Sequence, residues 1–111
     1  MLSVDPYGGA INRVPSATTA FCHRGPTLAC LQYYSAWQSP AATAPRLRGM
    51  RALYAALRPY MSGGAYCNYC DLDLPHWPEA YWGRHVTKLR QIKRAYDPDN
   101  VFHHPQSIPV G

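Results

Sequence analysis

The chain has 111 residues, a length at which one core can organise a domain and bury roughly two thirds of its unfolded surface. Hydrophobic residues make up 47% and charged residues only 15%, well under the roughly 25% of ordinary soluble domains, so part of the surface is expected to be covered by something else. The net charge of +5 is spread over two helical segments, which argues against a nucleic-acid partner. No apolar run approaches the about 18 residues of a membrane span, and the start lacks signal-peptide regions, which favours the cytoplasm for the chain as given unless a signal lies upstream.

In chain order, Tyr7-Gly8-Gly9-Ala10-Ile11-Asn12-Arg13-Val14-Pro15 sets a flexible glycine pair before a short apolar stretch closed by proline, as a strand or loop passing close to another backbone would. Residues 18–23 and 28–37 are rich in β-branched and aromatic side chains, with Arg24-Gly25-Pro26 between them as turn chemistry. Leu28, Cys30, Gln32, Tyr34 and Ala36 share one face of the second segment. The expectation is an antiparallel pair within about residues 7–37, both faces largely covered. After a linker, Leu47, Met50, Leu53, Leu57 and Met61 recur at three- and four-residue steps, predicting an amphipathic helix over about 44–61 that Pro59 and Ser62-Gly63-Gly64 bring to an end. A second helix, about 78–96, starts at Pro78 and carries Trp82, Val86, Leu89, Ile92 and Tyr96 on one face. Asp97-Pro98-Asp99-Asn100 then turns the chain into an irregular tail, 97–111. The fold class expected is α+β, the whole chain forming a single, partial domain.

Between the helices, residues 65–74 are neither periodic nor turn-like, yet they hold Tyr66, Cys67, Asn68, Tyr69, Cys70, Asp71 and Asp73. Chemistry is expected here. Cys67 and Cys70 form a CxxC, which can bind zinc, cycle as a dithiol, or be two small buried thiols. Zinc needs two further ligands, and Cys22, His23, Cys30, His76, His85, His103 and His104 offer no pair at a zinc-ribbon or finger spacing. A thioredoxin-like motif should open a helix, whereas Asp71-Leu72-Asp73-Leu74-Pro75 follows Cys70. No metal site is therefore assigned.

The segment Tyr66-Cys67-Asn68-Tyr69-Cys70-Asp71-Leu72-Asp73-Leu74 resembles the YxNYxDLDL stretch of the berberine bridge enzyme-like FAD-linked oxidases. Trp82-Gly83, Leu89-Arg90-Gln91-Ile92-Lys93, Tyr96-Asp97-Pro98-Asp99-Asn100-Val101-Phe102 and Pro105-Gln106-Ser107-Ile108 resemble that family's closing helix and tail, in the same order. Upstream, Tyr7-Gly8-Gly9-Ala10-Ile11, Pro15, Ala20-Phe21-Cys22-His23-Arg24 and Gln32-Tyr33 are similar to its GGAI…P…AFxHR…QY strands. Nearly the whole chain is covered by the resemblance.

It implies the C-terminal part of a substrate domain, with antiparallel strands, two amphipathic helices and an irregular tail. The implied reaction oxidises an alcohol, sugar or secondary metabolite by hydride transfer to FAD, with oxygen as the expected acceptor. Tyr69 is implied as catalytic base, and Tyr66, Cys67, Asn68, Tyr69 and Cys70 as the stretch bordering the flavin. A phenol ordinarily titrates near ~10, so a tyrosine base needs help, for which Tyr66 is the candidate within the chain. Cys67 and Cys70 fall at variable positions of the pattern, so their pairing as CxxC reads as incidental. Asp71 and Asp73 are expected to cap local backbone N–H groups, and Gln106 and Ser107 to tie the tail toward the FAD domain. The sequence has no Gly-rich phosphate cradle. The FAD-binding domain is accordingly expected to be missing or on another chain, with a small-molecule substrate as the other partner and this chain inactive alone. Other readings are a noncatalytic remnant or binding module, and a small CxxC zinc protein.

Overall fold

The computed structural model describes residues 1–111. Its elements are β1 (Leu2–Pro6), α1 (Ala10–Arg13), β2 (Ala29–Tyr33), α2 (Thr43–Leu57), α3 (Trp77–Trp82) and α4 (Val86–Tyr96), an α+β set. The chain divides into two compact units, one of Met1–Pro6 with Ala29–Gly63 and one of Tyr7–Leu28 with Gly64–Gly111.

In the first unit β1 and β2 pair antiparallel, with Leu2 opposite Tyr33, Val4 opposite Leu31 and Pro6 opposite Ala29. Leu2-Ser3-Val4-Asp5 alternates apolar and polar at the period of a strand, and Pro6 sits at the end of the ladder, where its missing N–H is tolerated. The pair is antiparallel, as expected, but its first strand is β1 and not residues 18–23, and β2 is shorter than 28–37 because β1 offers only five residues to pair with. The Tyr34 N–H closes the end of the ladder on the Met1 carbonyl at 2.9 Å. Nor are both faces covered: β1 alternates half-buried with exposed, and Val4 is 56% exposed.

Trp37 Nε1 donates to Thr43 Oγ1 at 2.8 Å where α2 begins, and the Tyr54 ring meets Tyr33 of β2 edge-on at 5.7 Å. Past Leu57 the chain tightens into a 3-10 turn at Arg58–Tyr60 that contains Pro59, and Met61 is extended. The apolar stripe of α2 has no buried residue, and Leu47 and Leu53 stay 38% and 37% exposed. A two-stranded sheet of five-residue strands is too narrow to cover a four-turn helix.

The second unit holds the three best-buried side chains, Tyr81, Val86 and Gln106. The single helix expected over 78–96 is broken here into α3, a 3-10 turn at Gly83–His85, and α4. Gly83 is the cause: its φ of 52° and ψ of −132° end α3 in a conformation that only glycine adopts without strain. At the other end of α4, Asp97 takes over the turn. Its Oδ1 accepts the Val101 N–H at 2.7 Å, its Oδ2 accepts the Phe102 N–H at 3.1 Å and pairs with Lys93 Nζ, and Asn100 adopts the left-handed φ of 53° that asparagine tolerates. These bonds hold the Asp97 carboxyl below the usual carboxylate range, the Lys93 bond contributing most.

Residues 7–28, expected to contribute strands, form the one-turn helix α1 and an irregular stretch organised by two side chains. Asn12 Nδ2 donates to the carbonyls of Tyr7 and Thr27, both at 3.2 Å. Arg24 donates to the Ile11 and Phe21 carbonyls at 2.6 and 3.2 Å and to Thr19 Oγ1 at 3.1 Å, with its guanidinium 5.0 Å from the Phe21 ring centroid. Carbonyls bonded to side chains in this way are taken out of any ladder, which is why no strand forms here.

Candidate functional site

Residues 66–70 form a tight loop. The Tyr69 N–H donates to the Tyr66 carbonyl at 3.0 Å, closing a turn with Cys67 and Asn68 at its corners, a place that suits asparagine. Asn68 Nδ2 reaches back to Tyr66 Oη at 2.8 Å, and the Cys70 thiol donates to the Cys67 carbonyl at 3.0 Å. The loop is thus bonded mostly to itself. Its outward anchor is aromatic: the Tyr66 ring stands edge-to-face on Phe21, with centroids 6.0 Å apart at 87°, and Phe21 packs in turn on Tyr7 at 5.7 Å and His23 at 5.5 Å.

Tyr69 ends this row, its ring edge-on to Tyr66 at 5.2 Å and 85°. Its side chain is 46% exposed. Tyr66 meets Tyr69 through its ring, while its hydroxyl oxygen accepts the Asn68 Nδ2 bond. The residues the sequence singled out, Tyr66, Cys67, Asn68, Tyr69 and Cys70, are therefore gathered on one turn with a phenol displayed at its end.

What holds that turn in place was not foreseen. Directly after Cys70, the Asp71 N–H donates to Tyr81 Oη at 3.1 Å, Tyr81 Oη donates to Gln106 Oε1 at 2.9 Å, and Gln106 Nε2 donates to the Asp71 carbonyl at 2.7 Å. The ring of bonds is closed, and its two side chains are 2% and 4% exposed. Burial pushes the Tyr81 phenol up, with the Asp71 N–H bond acting the other way, so it stays a neutral donor. Gln106, expected to tie the tail outward to another domain, turns inward instead, because its amide matches both the Tyr81 hydroxyl and the Asp71 carbonyl. The spacing of Trp77 and Tyr81, an i, i+4 pair with ring centroids 6.2 Å apart, was the available signal. Asp71 Oδ1 caps the Asp73 N–H at 2.9 Å, a local role of the kind expected.

All four cysteines are free thiols. Cys22 Sγ lies 3.6 Å from the Tyr81 carbonyl, and His23 Nε2 is 3.1 Å from the same oxygen. Burial pushes the Cys22 and Cys67 thiols up. No group of three or more His, Cys, Asp or Glu side chains is arranged to hold a metal ion, so the CxxC gathers no further ligand. His103 Nδ1 lies 3.0 Å from the Asn100 carbonyl, and His104 Nδ1 accepts the Gln106 N–H at 3.3 Å. No helix is long and apolar enough to cross a membrane.

Residues 65–109 match the family model "Berberine and berberine like". Over 97% of its length the chain is 35% identical to berberine bridge enzyme-like 4 of Arabidopsis thaliana, covering 23% of that protein. Over 92% of its length it is 38% identical to the FAD-linked oxidoreductase YgaK of Bacillus subtilis, covering 22%. It superimposes on berberine bridge enzyme from Eschscholzia californica with a TM-score of 0.92 at 28% identity, over 97% of this chain and 26% of that one. The chain thus spans about a quarter of the length of the relatives it matches, and along that stretch it is similar in both sequence and fold to the berberine bridge enzyme-like FAD-linked oxidoreductases.

Proposed function

We propose that the chain supplies one wall of the active site of an FAD-dependent oxidoreductase, with Tyr69 as the base that takes a proton from the substrate. The observation that carries the reading is the displayed Tyr69 phenol, set on a turn that the Asp71–Tyr81–Gln106 ring fixes from behind. A proton acceptor needs both, since it must reach the substrate and must not drift from it. The substrate is a small molecule, an alcohol, sugar or secondary metabolite.

The loop fits the edge of a flavin: Tyr66 and Tyr69 offer aromatic edges, and Tyr69 adds a polar tip. When bound, FAD would accept the hydride and pass the electrons to oxygen. Residues 66–70 would border its ring. The chain offers no cradle for the pyrophosphate, so most of the affinity belongs to an FAD-binding domain outside these residues, and the chain alone neither holds flavin tightly nor turns over. The 111-residue chain should therefore purify colourless and consume no oxygen with added FAD and alcohols; a yellow, active preparation overturns that part of the reading.

In an assembled enzyme that includes this chain, Tyr69→Phe should lower kcat by about 10²- to 10⁴-fold, the usual worth of a general base, and leave flavin content unchanged. Full activity in the variant would reduce Tyr69 to a packing residue.

A further inference from the structure

Cys67 and Cys70 occupy the corner of the Tyr69 turn and the position just beyond it, with Asn68 and Tyr69 between them. We propose that they form a dithiol–disulfide pair that closes across Tyr69, with a small disulfide of the glutathione class as the oxidant.

Three observations carry this. The backbone is already curled: the Tyr69-to-Tyr66 bond makes the turn, and the Cys70 thiol points back over it to the Cys67 carbonyl, 3.0 Å away. Sγ of Cys70 therefore lies against the backbone of the residue it would join in a bond of about 2.05 Å. Nothing strong holds the Cys67 sulfur elsewhere, its contact being Asn68 Oδ1 at 3.8 Å. The thiols are also near enough that charge on Cys70 pushes Cys67 up, in addition to the larger effect of burial.

Exposure divides the roles. Cys70 is exposed and Cys67 half-buried, so the incoming disulfide meets Cys70 first. The Cys70 thiolate attacks one glutathione sulfur, breaking that S–S bond and releasing one glutathione thiol. The Cys67 thiolate then attacks the Cys70 sulfur of the mixed disulfide and expels the second glutathione. Two cysteine thiols are oxidised by two electrons, the glutathione disulfide is reduced, and the two protons end on the two glutathione thiols. Cys22, another half-buried thiol, lies 3.6 Å from the Tyr81 carbonyl and is the competing partner that the test distinguishes. The bond itself rests on the loop geometry alone, and only its bearing on turnover rests on the reading of Tyr69 as a base.

The test equilibrates the 111-residue chain in glutathione buffers of rising oxidised-to-reduced ratio, quenches by acid, alkylates, and maps peptides by mass. A Cys67–Cys70 disulfide is expected in the wild type, and Cys67→Ser should stop at a single glutathione on Cys70. Closure should also be at least about tenfold more favourable in the native chain than in concentrated urea, because folding raises the effective concentration of one thiol at the other. Free or merely glutathionylated Cys70 under excess oxidised glutathione, a Cys22–Cys67 bond instead, or equal closure in urea would each overturn the proposal, and none depends on enzyme activity.

Discussion

Replacing Tyr81 with phenylalanine separates the buried hydroxyl from everything else the side chain does. The ring stays, with its contacts to Trp77 at 6.2 Å and Trp82 at 5.8 Å, so little apolar burial is lost. What disappears is one donor and one acceptor at a site where Tyr81 is 2% and Gln106 4% exposed. Gln106 Oε1 and the Asp71 N–H lose their partner together. Orphaning the buried Gln106 Oε1 costs about 1–3 kcal/mol and the part-buried Asp71 N–H less, partly offset by no longer burying the hydroxyl itself. A net loss of about 1–2 kcal/mol follows, or a melting temperature lower by roughly 5–10 °C for a domain of this size. Trp77 and Trp82 flank Tyr81 and report the change, so urea unfolding followed by tryptophan fluorescence measures it, with the slope m expected to stay constant. Gln106→Leu should destabilise to a similar degree. The double variant should fall short of the sum by about 1 kcal/mol or more, since groups in one network are not additive. A Tyr81→Phe effect below about 0.5 kcal/mol, or strict additivity with Gln106→Leu, would refute the closed ring as the support of the loop.

Gly83→Ala should destabilise by about 1–3 kcal/mol through backbone strain. Crowding is not the reason, because the new Cβ would meet Cys22 Sγ at an ordinary 3.6 Å; the same urea titration applies, and a neutral result would mean the α3–α4 break can relax. The pH dependence at Asp97 has a definite sign. Its folded pKa is lowered, chiefly by Lys93, so its contribution is present above the unfolded value of about 3.9 and fades as pH drops through the folded one. Asp97→Asn should therefore be less stable than wild type at neutral pH, and the gap should narrow as pH falls below the unfolded value and close once the folded carboxyl is protonated; a gap that persists in acid would assign the effect to something other than the carboxylate's charge. Arg24→Gln should loosen residues 11–24, seen as faster amide exchange there, because one guanidinium serves the Ile11 and Phe21 carbonyls and Thr19 Oγ1; unchanged exchange would show that the stretch holds without it.

The elements most legible in the sequence were those whose signal is local. Pro59 and the apolar steps of α2, the apolar face of α4, and the Asp97 turn all follow from neighbours within a few residues. The aromatic and β-branched richness of residues 18–23 misled because strand propensity reports fit to a pleated surface, and Arg24 and its carbonyl partners leave no such surface there. β1 was overlooked although Leu2-Ser3-Val4-Asp5 alternates, since a five-residue segment carries little periodic information. The apolar steps from Trp82 to Tyr96 point to one helix, but Gly83 lies within that stretch and its backbone ends α3. At the site, the motif residues 66–70 lie on one local turn, but the Gln106 bond to residue 71 spans 35 positions, and no spacing rule reaches that far.

That span orders events in synthesis. The turn bearing Tyr69 can curl as soon as it is made, because its bonds run from residue 66 to residue 70. The closed ring of bonds behind it waits for Gln106, so through the translation of two further helices, α3 and α4, the Tyr69 turn is held without it. At the usual ~5–20 residues per second that interval lasts a few seconds, during which the Cys67 and Cys70 thiols are at their most accessible.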